Sequence, residues 1–399
     1  MTNINDEIYL NFKKKDKNFS NNIFVLLDIQ GKISDKFINS KCNEFSIKNS
    51  KFRKTLVESN WIEKDFNYQE HIVIFDIKKY DSKNYRKLLG KIINTSFDDQ
   101  KPMWKLYFIR FENKTQLIFS CAHVLGDGYF LIDKLTKSFF DNPKFIEKKN
   151  KPYQGTGFLN ILFNIYYFIA YSVMLLYNLF IYKKEEVFNS ISNHKIYYKK
   201  LFVFNVKELK RIKNKKKISI NDLVYSIVLK TLKKYSEKEK INLISTTLFN
   251  NRSLNDNLKE SNNFGFLCIS TNVNNDNIYE KIHRKFVNIK NSYIIPFIIK
   301  FISYIFKLSP KSVIYLMTKG IEQSHFGYSN IFSYIDDNTM DNHKVTNVSN
   351  LVTPYKYKLL FSGLSYHNKI TLNITYKKNV IDYKKLKGCF KDVIKELYK

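Results

Sequence analysis

The apolar positions fall into two kinds of run. Residues 22–30 (NIFVLLDIQ) and 71–77 (HIVIFDI) are rich in β-branched and aromatic side chains, which predicts strands. Residues 82–95 (SKNYRKLLGKIINT) repeat at helical spacing instead. A strand pair follows at 104–111 (WKLYFIRF) and 116–121 (QLIFSC), joined at the turn-like Glu112-Asn113-Lys114. After a glycine-containing loop, residues 129–140 (YFLIDKLTKSFF) return to the helical period. Past a polar stretch at 143–151 the pattern changes, and residues 157–182 carry no charged side chain over 26 positions. Strand and helix patterns resume at 200–206, 219–235, 241–249 and 264–273. A second apolar region, 293–317, is interrupted by Lys300, Lys307 and Lys311. Strands at 358–364 and 369–377 and a helix near 382–398 close the chain. Strands and helices mix without strict βαβ alternation, so the class is α/β or α+β with a mixed sheet.

Size and composition narrow this picture only a little. With 399 residues, 44% of them hydrophobic and 16% aromatic, the chain can fill one large core or two ordinary ones. The formal net charge of +31 invites a nucleic-acid reading. That reading is weak, because only six of the 67 basic residues are Arg, and spread-out lysine is usually a solvated surface. An anionic membrane surface is the more natural partner, and no nucleic acid is expected. The four cysteines, Cys42, Cys121, Cys268 and Cys389, lie far apart with no CxxC, so neither a disulfide framework nor a zinc site is legible. The N-terminal residues MTNINDEIYLNFKKKDKNF have no apolar core after a basic start, so no signal peptide is expected.

The most informative stretch is Cys121-Ala122-His123-Val124-Leu125-Gly126-Asp127-Gly128, an HxxxDG pattern between a strand and a helix. A histidine at a strand end can project into a cleft, and near neutral pH it is a natural general base for an alcohol or amine. A lone loop histidine is the alternative. Asp127 can fix the loop, and Gly128 allows backbone conformations that other residues resist. Cys121 beside His123 could be a thiol nucleophile, but strand alternation places it toward the core.

Other segments extend the pattern. This chain resembles the wax ester synthase/diacylglycerol acyltransferase family, within the superfamily of CoA-dependent acyltransferases and peptide-synthetase condensation domains. Cys121 to Gly128 is similar to that family's HHxxxDG motif, with Ala122 at its first histidine. Pro102-Met103-Trp104 resembles its P-L-W segment, and Ser219 to Val224 its T-x-N-D-V-V motif. Phe249 to Arg252 resembles its strand ending N-L-R, Asn263-Phe264-Gly265 the following N-x-x-G, and Ser329-Asn330 its late S-N. Lys51 to Lys54 and Trp61 to Ile72 resemble two upstream segments.

The resemblance implies an α/β fold of two lobes, like chloramphenicol acetyltransferase, with mixed sheets and a tunnel between them. It implies an N-terminal lobe over 1–145, a linker over 146–199 and a C-terminal lobe over 200–399. It also implies direct acyl transfer from acyl-CoA, with no cofactor and no metal, to a lipid alcohol such as a fatty alcohol or diacylglycerol. His123 would be the base and Asp127 its structural neighbour, partnered by Arg252. Gly128, Asn221, Asp222 and Trp104 are candidates for contact with substrate; Trp104 equally suits a core, and Asn221 a helix cap. Two alternatives stay open: a catalytically inactive lipid-binding paralogue, which Ala122 supports, and an acyltransferase acting on another alcohol or amine acceptor.

Residues 157–182 are long enough to span a bilayer, to lie in its interface, or to form a buried helical pair. One crossing would put His123 and Asn221 on opposite sides of the membrane. The expectation is therefore a monotopic, interfacial segment, joined by 293–317, with the site facing the cytoplasm (at the endoplasmic reticulum or a lipid droplet in a eukaryote).

Overall fold

A computed structural model describes residues 4–16, 19–58, 60–63, 66–143, 158–250, 262, 264–274, 277–292, 294–331 and 336–398. The first lobe contains α1 (Ile4–Lys15), β1 (Asn22–Gln30), α2 (Asp35–Lys48), β2 (Lys54–Val57), β3 (Asn60–Glu63), β4 (Ile72–Asp76), α3 (Ser82–Ile93), β5 (Trp104–Arg110), β6 (Lys114–Ala122) and α4 (Gly128–Phe139). A long apolar helix, α5 (Phe158–Leu176), ends in a π turn at Tyr177–Ile181. The second lobe continues with β7 (Ile196–Asn205), α6 (Val206–Lys216), α7 (Ile220–Ser236), β8 (Asn242–Asn250), β9 (Phe264–Asn272) and α8 (Ile278–Asn291). Then follow α9 (Ile294–Leu308), α10 (Pro310–Gln323), β10 (Phe326–Ile331), β11 (Thr339–Met340), β12 (His343–Val352), β13 (Leu359–Tyr366), β14 (Lys369–Lys377) and α11 (Tyr383–Tyr398).

Two six-stranded sheets organise the lobes. The first runs β11-β12-β1-β6-β5-β4 and the second β7-β14-β13-β10-β8-β9. Both are mixed: β4 and β5 are parallel in the first, and β10 is parallel to both β8 and β13 in the second. Strand β1, predicted over 22–30, occupies those residues and lies at the centre of its sheet. Its side chains are buried on both faces, which is why it reads as a continuous apolar run.

Strand β12 crosses the molecule. It follows β10 of the second lobe, yet it pairs antiparallel with β1 of the first, from Ile23 opposite Val352 to Ile29 opposite Val345. The first sheet therefore takes strands from both ends of the chain. Polar contacts stitch this strand to the second sheet. Ser362 Oγ and Asn373 Nδ2 donate to the Asn350 carbonyl, and Thr375 Oγ1 donates to the Val352 carbonyl. The seam between lobes is held by directed hydrogen bonds as well as apolar packing.

Helix starts are chemically specified. Ser34, Asp81, Asp127 and Asn205 cap α2, α3, α4 and α6 through their side chains, and Ser219 with Asp222 forms a capping box at α7. Helix α7 is then buried along most of its length as the axis of the second core.

Candidate active site

The HxxxDG segment turns sharply at the end of β6. Residues His123–Leu125 form a single 3-10 turn, and Asp127 then caps α4 by accepting from the Phe130 amide at 3.1 Å. The His123 amide donates to the Asn21 carbonyl at 2.8 Å, which ties the turn to the entrance of β1. Gly126 is extended rather than left-handed. Gly128 is also outside the left-handed region, so the sequence expectation about its backbone needs correction. Its need is space: a Cβ there would come within 2.1 Å of Ile331 Cδ1, at the end of β10. Glycine lets α4 start against a strand of the other lobe.

His123 lies on the wall of a cavity of about 1320 Å³, open mouth included, between the lobes. Helix α1 contributes Ile8, Tyr9 and Phe12 to one side. Strands β8, β9 and β10 contribute Thr246, Leu248, Phe264, Phe266 and Tyr328 to the other. Helices α9 and α10 close it with Ile298, Ile302, Met317 and Ile321. The wall is mostly apolar with a few polar groups, the usual composition of a small-molecule pocket.

Burial holds the His123 imidazole below the ordinary histidine pKa. Its own backbone carbonyl, the Asp127 carboxylate and the Asn262 side chain oppose that shift. The neutral form needed by a base is thus favoured near neutral pH. The Phe264 ring stands 5.2 Å from the imidazole, centroid to centroid. Asn262, buried at the entrance to β9, donates through Nδ2 to the carbonyls of His123 at 3.1 Å and Val124 at 3.2 Å. Lys51 Nζ donates to the same Val124 carbonyl at 2.9 Å. Burial pushes Lys51 down to about 8. Asp6, which accepts from the Trp61 indole, lies 3.9 Å from its ammonium.

The other sequence candidates separate from this centre. Asn221 is not the cap of α7, a role taken by Ser219. Its Oδ1 accepts from Tyr328 Oη at 3.3 Å and Asn330 Nδ2 at 3.0 Å, one side chain behind the cavity wall. Asp222 is fully buried in the capping box of α7 and bonds His283 Nδ1 at 2.6 Å. Trp104 is fully buried in the first core, its indole N–H donating to the Phe52 carbonyl and its ring stacked on His71. Neither Trp104, Gly128, Asn221 nor Asp222 is on the cavity wall. Arg252 lies outside the described residues. Cys121 is fully buried on β6, and burial pushes its thiol up, away from a nucleophilic role. Ala122 is likewise buried in the first core, so a histidine at this position would start from a backbone facing away from the cavity.

Asn262 escaped the sequence analysis by one place. The N-x-x-G spacing starts at Asn262 and ends at Gly265, whereas the expectation had started it at Asn263. Counting back three residues from Gly265 would have found it. Lys51 and Phe264 stood within recognised segments, but nothing local announced that they meet at His123.

Residues 260–398 match the WS/DGAT C-terminal domain family. No curated protein matches the sequence. Among solved structures, the chain is similar to the wax ester synthase/diacylglycerol acyltransferase from Marinobacter aquaeolei VT8. That match has a TM-score of 0.67 and 14% identity, covering 100% of this chain and 98% of the other. The first condensation domain of the calcium-dependent antibiotic synthetase gives a TM-score of 0.67 at 8% identity, covering 100% and 95%. A starter condensation domain of rhizomide synthetase, in complex with C8-CoA, gives 0.63 at 8%, covering 100% and 93%. The C-terminal part of the chain thus matches the WS/DGAT C-terminal domain family, and the whole shares the two-lobed fold of these structures.

Proposed function

We propose that the protein is an acyl-CoA-dependent O-acyltransferase that esterifies a lipid alcohol, with His123 as the general base. The observation that carries this reading is a histidine whose charged form burial disfavours, on the wall of a mostly apolar cavity between the lobes. In the proposed reaction, His123 removes the proton from the acceptor hydroxyl as its oxygen attacks the thioester carbonyl. The tetrahedral intermediate then collapses, the carbon–sulfur bond breaks, and the imidazolium returns its proton to the departing CoA thiolate. The ester and free CoA leave, and no covalent acyl-enzyme forms. Asp127 acts from behind by capping α4 and favouring the imidazolium as it appears. The cavity's apolar lining suits a long acyl chain and a fatty alcohol or diacylglycerol better than a polar acceptor.

Collection of such substrates from a membrane is part of the reading. On α5 and the π turn, the residues Leu162, Ile165, Tyr166, Ile169, Val173, Leu176, Tyr177 and Phe180 are exposed at helical spacing. Phe168 and Tyr171 on the opposite side pack on the second lobe. Phe301 and Tyr304 of α9 extend the face, which holds no acidic residue over 158–184 or 294–321. No described helix is long and apolar enough to cross a membrane. An interfacial helix pair beside the cavity fits these facts.

The test is ester formation by purified protein with labelled palmitoyl-CoA and a pool of hexadecanol, diacylglycerol, sterol and a long-chain amine. A lipid ester formed by the wild type and abolished in His123→Ala is expected. Near wild-type turnover in that variant would remove His123 as the base. Acyl-CoA binding without any product would favour an inactive lipid-binding protein.

A further inference from the structure

The turn that carries His123 is held from both lobes, and among the described residues its second-lobe hydrogen bonds come from the Asn262 side chain. Asn262 Nδ2 donates to two successive carbonyls, of His123 and of Val124. The same side chain favours the charged imidazole, and Asn262 itself lines the cavity. On the first-lobe side, the Asn21 carbonyl accepts from the His123 amide, and Lys51 donates to the Val124 carbonyl. Two residues beyond Asn262, Phe264 sets its ring against the imidazole. One short stretch at the start of β9 therefore meets the turn's backbone and sets an aromatic ring beside the imidazole.

We propose that Asn262 is the positioning residue for His123, fixing the 3-10 turn that carries the base across the seam between the lobes. This rests on His123 being the base. Donation by one amide group to two carbonyls locks the two peptide groups that follow the base, while the Asn21 carbonyl holds the one before it. Displacement of a reacting group by about 1 Å can cost on the order of 100-fold in rate. Among the described residues, the groups that act on the imidazole are the His123 carbonyl, the Asp127 carboxylate from α4 and the Asn262 side chain, with the Lys51 ammonium on the neighbouring carbonyl.

The test uses Asn262→Ala and Asn262→Asp in the full chain. Both lose the Nδ2 donor, so kcat is expected to fall about 10- to 100-fold while KM for acyl-CoA stays within about threefold. The two differ in charge. Asn262→Asp places a carboxylate on the imidazole and raises the His123 pKa, which Asn262→Ala does not. That difference is read by NMR titration of histidine-labelled protein without substrate, with the His123 signal assigned through His123→Ala. The same difference is expected in the acid limb of the kcat/KM profile. An unmoved His123 titration in Asn262→Asp, or a kcat within twofold of wild type in both variants, overturns the proposal. Should the alanine variant fail to fold, the near-isosteric aspartate decides alone. A wild type without transferase activity overturns the base assignment instead, and the NMR titration still reports whether residue 262 acts on the imidazole.

Discussion

His123 and Asp127 divide one task. Burial depresses the imidazole pKa, and the Asp127 carboxylate partly restores it. A base acts in its neutral form, so the acid limb of kcat/KM is expected below the ordinary histidine value of about 6.5. Replacing Asp127 separates its two roles. Asn caps a helix about as well as Asp, so Asp127→Asn should fold normally and shift the acid limb to lower pH. Asp127→Ala loses the cap as well, at a cost of about 1 kcal/mol, and should also lower the melting temperature. Equal acid limbs in the wild type and Asp127→Asn would show that the carboxylate does not act on His123. At this scale the sequence was uneven. HxxxDG was legible because its chemistry is local, whereas Trp104 and Asp222 carried recognisable neighbours and turned out to serve packing and capping. Nothing in a linear pattern separates a side chain aimed at a cavity from one aimed at a core.

Among the elements, strands buried on both faces were the readable ones. β1, β5 and β14 announce themselves as apolar or β-branched runs, and their bounds were close to those expected. β12 did not. Its sequence HKVTNVSNLV mixes polar and apolar residues: the Asn347 side chain accepts from Thr371 of the second sheet while Val345 and Val348 enter the first core. Its burial has a long-range cause that no local window contains. Helix α8 is a different case. Ile278, Ile282, Phe286 and Ile289 keep helical spacing, so the signal was present beneath the lysines. The junction of β8, β10 and the segment after α5 carries a prediction. His325 accepts from the Ile244 amide through Nδ1 and donates through Nε2 to the Glu185 carbonyl, and burial lowers its pKa to about 4. The unfolded chain then binds the proton more tightly than the folded one. Stability is full above about pH 6.5 and is lost as pH falls toward 4, by up to about 3 kcal/mol. His71, also lowered by burial, adds loss of the same sign. His325→Gln keeps an amide donor and acceptor but cannot titrate. Its melting temperature should therefore fall less between pH 7 and pH 5 than that of the wild type. Equal falls would assign the acid sensitivity elsewhere.

For the whole molecule, the net charge of +31 acquires meaning only through its placement. Lysines are spread over the surface, but Lys300, Lys307 and Lys311 flank the exposed apolar face of α9 and α10, and Lys319 lies over the rings of Phe180 and Tyr315. An apolar ridge among cations matches an anionic bilayer, which takes the side chains into its interface and the ammonium groups among its phosphates. Ile298 and Ile302 line the cavity while Phe301 and Tyr304 on the same helix are exposed, so α9 is both cavity wall and outer surface. Substrate dissolved in the bilayer would lie one helix away from the cavity. Two predictions separate this from general stickiness. Binding to vesicles containing phosphatidylglycerol should exceed binding to pure phosphatidylcholine vesicles and weaken with added salt, since screening acts only on the charged part. Ile169→Asp with Val173→Asp, both far out on α5 at 56% and 62% exposure, should leave folding intact. Removing two apolar contacts and adding two like charges to the lipid should lower the vesicle partition coefficient at least about tenfold. Turnover of an acceptor embedded in vesicles should fall with it, while turnover of a short, water-soluble alcohol stays near wild type. If the double variant still binds vesicles as the wild type does, α5 is not the docking face, and the apolar residues at its surface need another partner.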